Sequence, residues 1–186
     1  MVASPRVSFS RAVLTIGGSV IRFWLLLITG RLHQPRRHMG GWITFANGSS
    51  AVVFRETVAD QRRSDAPAIL VVEFRLRAVH GWAHRLFERE SVLNTPFFAG
   101  FPGFVSKLWL TQDENKVYRG IYEWDGAARA ASYAEALRWI LALVSVPGSI
   151  AYHVVPGETR SKFLAESEGL INAVASTDSD AWWRVS

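Results

Sequence analysis

Several polar side chains in the second half of the chain can move protons on a small molecule. His153 stands next to Tyr152 in a predicted strand, and a histidine near tyrosine hydroxyls can act as general base for a phenol or an enol. A buried charge on a sheet face must be either paired or functional. The residues expected to share such a face, by strand alternation, are Glu73, Lys107, Arg119 and Glu123.

These positions leave two interpretations open. In the first, His153, Lys107 and Glu123 are catalytic residues that hold or deprotonate an oxygen of a ligand. In the second, the histidine is a hydrogen-bonded structural residue, and the charges form a ladder of interstrand ion pairs at a dimer interface.

Aromatic residues stand close to these polar positions along the chain. Trp109 shares a strand face with Lys107, and four phenylalanines, at 97, 98, 101 and 104, fall in a loop that two prolines and two glycines interrupt. They can either roof an apolar pocket or pack beneath the front of the chain. The residues expected to bind the ligand are Trp109, Arg119, Tyr122, Phe98, Phe101 and Phe104.

Other kinds of site have little support in the sequence. The chain has no cysteine, which excludes disulfides, zinc–thiolate sites and thiol nucleophiles. It also lacks a glycine-rich phosphate loop, a Gly-x-Ser-x-Gly elbow and a His-Glu-x-x-His motif. His80, His84 and Glu88 have a spacing that can bind a metal on a helix, but a solvated helix face is favoured. We expect no metal and no cofactor.

The basic character of the chain is confined to its beginning. Residues 1–55 hold seven arginines and no acid, which leaves residues 56–186 with a formal charge of −2. The sequence 12–30 is apolar but carries Arg22 near its middle, so we expect a helix that does not span a bilayer. It can pack on the protein, on a dimer partner or on lipid. We expect no nucleic acid partner and a cytoplasmic protein, with peripheral contact to an anionic membrane through residues 11–38 as one alternative.

Hydrophobic periodicity predicts one α+β unit behind a hairpin. Asn47-Gly48 between two β-rich runs predicts the hairpin at 42–58. The predicted order β-α-β-β-α-β is that of a ferredoxin-like fold, in spatial order 4-1-3-2. Its elements are Ile69–Arg77, the helix His80–Ser91, Val105–Thr111, Lys116–Trp124, the helix Gly126–Val144, and Ser149–Val155. We divide the chain into a front extension (1–60), this domain (68–157) and a tail (158–186).

The central hairpin resembles a known family. Pro102-Gly103-Phe104 leads into a strand with Lys107 and Trp109, and a strand containing Gly120 follows. This pattern resembles the mono-oxygenase branch of the dimeric α+β barrel superfamily, over about residues 69–156. The resemblance implies a homodimer that pairs two antiparallel sheets. It also implies a pocket for small aromatic or polyketide-like ligands, which several members oxidise without metal or flavin.

Together these observations predict a small-molecule enzyme or ligand-binding protein. Its ligand would be apolar and ring-bearing, and the chemistry would be that of a cofactor-independent mono-oxygenase or cyclase. The alternative is a non-catalytic module that associates with a membrane or dimerises. A cavity touching Lys107 or His153 favours the first function, and a sheet face sealed by side chains favours the second.

Overall fold

The structure is a computed structural model, and the residues it describes are 18, 21–60, 66–77, 98–169 and 182–186. The helix predicted at His80–Ser91 lies outside them. The described strands are β1 (Leu32–His33), β2 (Trp42–Thr44), β3 (Ser50–Ala59), β4 (Pro67–Phe74), β5 (Phe104–Leu110), β6 (Tyr118–Asp125) and β7 (Ala151–Pro156). The described helices are α1 (Ala127–Val144) and α2 (Arg160–Gly169), and residues 21–28, the front helix, are also helical.

The strands form an antiparallel sheet in the order β1-β3-β5-β6-β4-β7, with β2 paired to β3. The four strands of the predicted domain stand in the order β7-β4-β6-β5, which is the ferredoxin-like order 4-1-3-2. The predicted α+β fold and the antiparallel central hairpin are therefore confirmed. The front hairpin extends the sheet beyond β5, so the front of the chain shares one sheet with the predicted domain.

Alternation along the strands sends side chains to two apolar layers. Leu70 and Val72 point to the side that carries α1, whereas Ile69 and Val71 point to the opposite side. On the α1 side, Ala130 and Ala134 are buried, and their small side chains let the helix backbone approach the sheet closely. We call these two surfaces the helix side and the outer side.

The outer side of the sheet is covered by the chain itself. Phe45 from the turn after β2, Phe163 from α2 and Val185 near the end of the chain are buried in one cluster with Ile69 and Leu108 of the sheet. Covering an apolar face is a main reason for an open sheet to recruit a partner. Since this face is already covered, it supplies no such reason for the predicted homodimer, which stays a prediction.

Candidate functional site

Lys107 lies on the helix side, inside a box of aromatic rings. Its Nζ is 2.9 Å from the ring centroid of Trp109, 4.5 Å from that of Tyr122 and 4.6 Å from that of Phe98. The side chain is 5% exposed. Among the described residues no carboxylate is paired with it. The box thus holds a desolvated amine against the negative faces of aromatic rings.

Gly120 makes room for this arrangement. It stands directly opposite Trp109 on the neighbouring strand. A Cβ at Gly120 would lie 3.0 Å from Cε2 of Tyr122 and 3.4 Å from Cε of Lys107. Any larger residue would therefore press on the tyrosine ring and the lysine stem. The glycine in β6 is thus a requirement of the box.

The strand β3 adds polar groups at one edge of the box. Arg55 and Thr57 pair in register with Trp109 and Lys107. The indole Nε1 of Trp109 donates to the hydroxyl of Thr57 at 3.4 Å, and the guanidinium carbon of Arg55 lies 5.4 Å from the indole centroid. A second cation so close to Lys107 adds repulsion to its loss of solvation.

The charges in the box shift its proton equilibria. Burial lowers the pKa of Lys107 well below its ordinary value, and the nearby charge of Arg55 lowers it further. Burial raises the pKa of Tyr122 and Tyr133, whose hydroxyls are hydrogen bonded to each other. At neutral pH the two phenols therefore stay protonated, while the neutral form of Lys107 becomes more populated than in an exposed lysine. A neutral amine can accept a proton from a phenol or an enol.

The remaining predicted phenylalanines extend the aromatic layer away from Lys107. The ring centroid of Phe104 lies 5.0 Å from that of Phe98, in an edge-on contact, and 5.7 Å from that of Trp124. The ring centroids of Phe101 and Tyr133 are 5.3 Å apart. Gly103 precedes β5 with φ of +84°, and a Cβ there would meet the Arg129 side chain at 2.5 Å. This turn aims Phe104 into the core.

Glu123 lies on the outer side, apart from Lys107. It accepts a hydrogen bond from the hydroxyl of Ser106 at 3.2 Å and lines an open cavity of about 510 Å³. The same cavity is lined by His38 and Arg160, which flank the buried Glu56. The Nδ1 atom of His38 lies 2.9 Å from one carboxylate oxygen of Glu56, and Nη2 of Arg160 lies 2.6 Å from the other. Neither this cavity nor the adjoining one of about 640 Å³ is lined by Lys107 or His153.

Arg119 also lies on the outer side, where it is held by ion pairs. Its guanidinium pairs with Asp113 at 2.7 Å and with Glu73 at 3.1 Å, and it stands over the ring of Phe45 at 4.5 Å. Burial raises the pKa of Glu73, against the opposing effect of Arg119. Asp113 additionally accepts backbone N–H groups of the turn before β6. Arg119 and Glu73 therefore form an ion pair, as the second interpretation of the sequence expects, whereas Lys107 lies on the other face of the sheet.

His153 lies on the outer side near the end of the chain. Its ring stacks on the ring of Trp183, with 3.8 Å between the ring centroids and an interplanar angle of 5°. Burial lowers its pKa, and the charge of Arg184 lowers it further. Tyr152, on the helix side, donates instead to Glu135. His153 therefore packs a terminal tryptophan, and three separate places hold the three residues expected to be catalytic.

Three residues at or near the box were not among those predicted from the sequence. Arg55 and Thr57 belong to the front hairpin, which lies outside the predicted domain, and Tyr133 belongs to the alanine-rich helix α1. The lone arginine in the apolar run of β3 was the available signal. Among the described residues, no group of acids and histidines is arranged to hold a metal ion.

Comparisons with known proteins identify no family for this chain. No family model and no curated protein matches it. A solved ferredoxin-fold protein from Listeria monocytogenes, related to antibiotic biosynthesis monooxygenases, is 12% identical with a TM-score of 0.44, over 60% of this chain and 66% of that one. SnoaB of Streptomyces nogalater, a cofactor-independent oxygenase, is 20% identical with a TM-score of 0.34, over 50% of this chain and 94% of that one. Both are of the kind that the hairpin motif resembles, and at these identities the likeness concerns the fold alone.

Proposed function

We propose that the box around Lys107 binds an apolar, ring-bearing small molecule and that the chain oxidises it with molecular oxygen, without a cofactor. The observation that carries the proposal is the buried lysine amine, which faces aromatic rings and a second cation. Burying an amine without an anionic partner lowers stability. Residues that are costly in this way are typical of functional sites.

The lining of the box suits a flat ring system. Phe98, Trp109 and Tyr122 surround the amine, and the aromatic layer continues to Trp124 and Tyr133. Since these rings touch one another, a ligand enters only when one of them moves. Phe98 precedes β5 and is not held by strand pairing, so its ring is the one we expect to swing aside.

The proposed chemistry uses the neutral form of Lys107, which burial favours. Lys107 takes a proton from the phenol or enol form of the ligand, and the electron-rich ring carbon then reacts with oxygen. A ring methylene becomes a ketone: one oxygen atom enters the product, and the other leaves as water with the two methylene hydrogens. The hydroxyls of Tyr122 and Tyr133, which are hydrogen bonded to each other, are the groups that we expect to hold the ligand oxygen. A cyclase would use the same proton transfer without oxygen.

Anthrone tests this function, because it has three fused rings and an acidic methylene that oxygen converts to the ketone of anthraquinone. Oxygen uptake and anthraquinone formation should be faster with the protein than with buffer. Lys107→Met should lose about a hundredfold or more of that acceleration, whereas Lys162→Met, at an exposed lysine of α2, should keep it. Equal rates for the wild type and Lys107→Met would contradict the proposal, provided that near-ultraviolet circular dichroism shows both proteins to be folded.

The alternative, a non-catalytic module, has two supporting observations. Aromatic rings close around Lys107, and neither of the two cavities described above is lined by Lys107 or His153. The front helix exposes apolar side chains, and this surface is independent of the Lys107 box. Failure to oxidise anthrone or to bind anthraquinone would leave that surface as the main functional feature.

A further inference from the structure

The front helix has two apolar faces, of which the core uses only one. Phe23 and Leu26 are buried, and they fix the helix on the body of the protein. A second stripe, at spacing i, i+3, i+4 and i+7, points away from it. The exposed stripe consists of Ile21, Trp24, Leu25 and Ile28, each at least 53% exposed.

Arginines lie close to this stripe in the sequence. The first 55 residues carry seven arginines and no acid, and Arg31, Arg36 and Arg37 follow the helix with exposed side chains. An exposed tryptophan among aliphatic side chains, next to arginines, is the composition of helices that lie in the headgroup region of a membrane. No described helix is long and apolar enough to cross a bilayer.

We propose that the exposed stripe docks the protein on the surface of an anionic phospholipid membrane. Ile21, Trp24, Leu25 and Ile28 enter the boundary between headgroups and acyl chains. The arginines bind the phosphates of the lipids. The buried face keeps the helix attached to the sheet, so docking requires no unfolding.

A second copy of the chain fits this stripe less well. In a twofold contact the same patch meets itself, so any positive charge beside the stripe would be brought close to its own copy. Like charges brought together at an interface oppose association, whereas an anionic surface neutralises them. Charge therefore favours lipid over self-association.

Vesicle flotation with the full-length protein tests the proposal. Vesicles of phosphatidylcholine alone and of phosphatidylcholine with phosphatidylglycerol are compared at low and high salt. We expect binding only to the anionic vesicles, with clear weakening at high salt. Equal binding to neutral vesicles, no binding to either, or binding that survives carbonate washing would each overturn it.

Matched substitutions locate the binding surface. Ile28→Ser and Trp24→Ser should each weaken binding about tenfold or more. Leu143→Ser and Trp139→Ser on α1 are the controls, because Leu143 is 79% exposed like Ile28, and Trp139 is 50% exposed against 53% for Trp24. Equal losses in both pairs would contradict the assignment. So would a concentration-dependent dimer that only Ile28→Ser abolishes.

Discussion

Replacing Lys107 with methionine should make the protein more stable while removing its activity. Methionine is unbranched like lysine and only one heavy atom shorter, so it keeps most of the apolar stem between the rings of Trp109 and Phe98. It removes an amine that has no carboxylate partner among the described residues. Most substitutions of buried residues destabilise a protein, so a gain in stability would be a specific signature of a costly functional group.

The size of the gain has a ceiling. A lysine with the ordinary pKa of 10.5 gives up its proton at pH 7 for about 5 kcal/mol, which is the largest penalty that the charge of Lys107 can impose on folding. If Lys107 keeps its charge, the attraction between that charge and the ring faces stabilises the folded protein by about 2 kcal/mol. We expect Lys107→Met to raise the free energy of unfolding by about 2 kcal/mol at pH 7, a value within this ceiling. That gain corresponds to about 4–8 °C in melting temperature for a chain of this length.

The gain should depend on pH. Because the pKa of Lys107 is lower in the folded protein than in the unfolded chain, the unfolded chain binds the extra proton between these two values. The contribution of Lys107 to the stability of the wild type therefore rises with pH up to about 10.5, and the advantage of the variant shrinks from pH 7 towards pH 10. Urea denaturation at both pH values, followed by tryptophan fluorescence, measures this difference.

The matched control is Lys162→Met in the exposed ion pair of α2, which should change stability by less than about 1 kcal/mol. A Lys107→Met variant that is less stable than the wild type by more than about 1 kcal/mol at pH 7 would refute the reasoning. It would mean that an anion, and not a ring face, balances the amine.

Four further predictions concern other parts of the molecule. Arg119→Met leaves the buried Asp113 without its cation and should cost about 3 kcal/mol, seen as a melting temperature about 6–12 °C lower; an unchanged melting temperature would contradict the ion-pair role. Gly120→Ala should push the ring of Tyr122 by a few tenths of an ångström and slow anthrone oxidation more than it lowers stability (about 1 kcal/mol); full activity would show that the box tolerates a methyl group. Because the pKa of His153 is lowered on folding, stability should fall as the pH drops below about 6.5, and His153→Gln should reduce that dependence in acid titrations; identical titrations would contradict it. Since the chain covers its own outer face, light scattering should give a monomer of 20.8 kDa, and twice that mass would instead support the homodimer predicted from the sequence.

Local pattern predicted the central fold because the deciding signals lie close together in the sequence. The two strands around the turn at 112–115 alternate clearly, and the alanine stripe of α1 has helical spacing, so β5, β6 and α1 lie within two residues of their predicted bounds. Asn47-Gly48 likewise fixed the front hairpin, whose turn has Gly48 at φ of +80°. Such turns and periods are set by neighbouring residues alone.

The composition of the site was harder to predict because it depends on the registers between distant strands. The sequence prediction puts Lys107 on one face with Glu123, whereas the observed register pairs Lys107 with Tyr122 and Ser106 with Glu123. A change of one residue in the pairing moves every side chain of a strand to the other face. The pairing of β3 with β5, which brings Arg55 to the box, joins segments about 50 residues apart and has no local signature.

The most direct test of the Lys107 site is its own titration. The chain has three lysines, at 107, 116 and 162, so an NMR titration of lysine side-chain carbons should give three curves. The curve that is absent in Lys107→Met should have a midpoint below the ordinary lysine value of 10.5 and should move when anthraquinone is added. A Lys107 midpoint that is not lowered, or one that anthraquinone leaves unchanged, would contradict a buried amine that contacts a ring-bearing ligand.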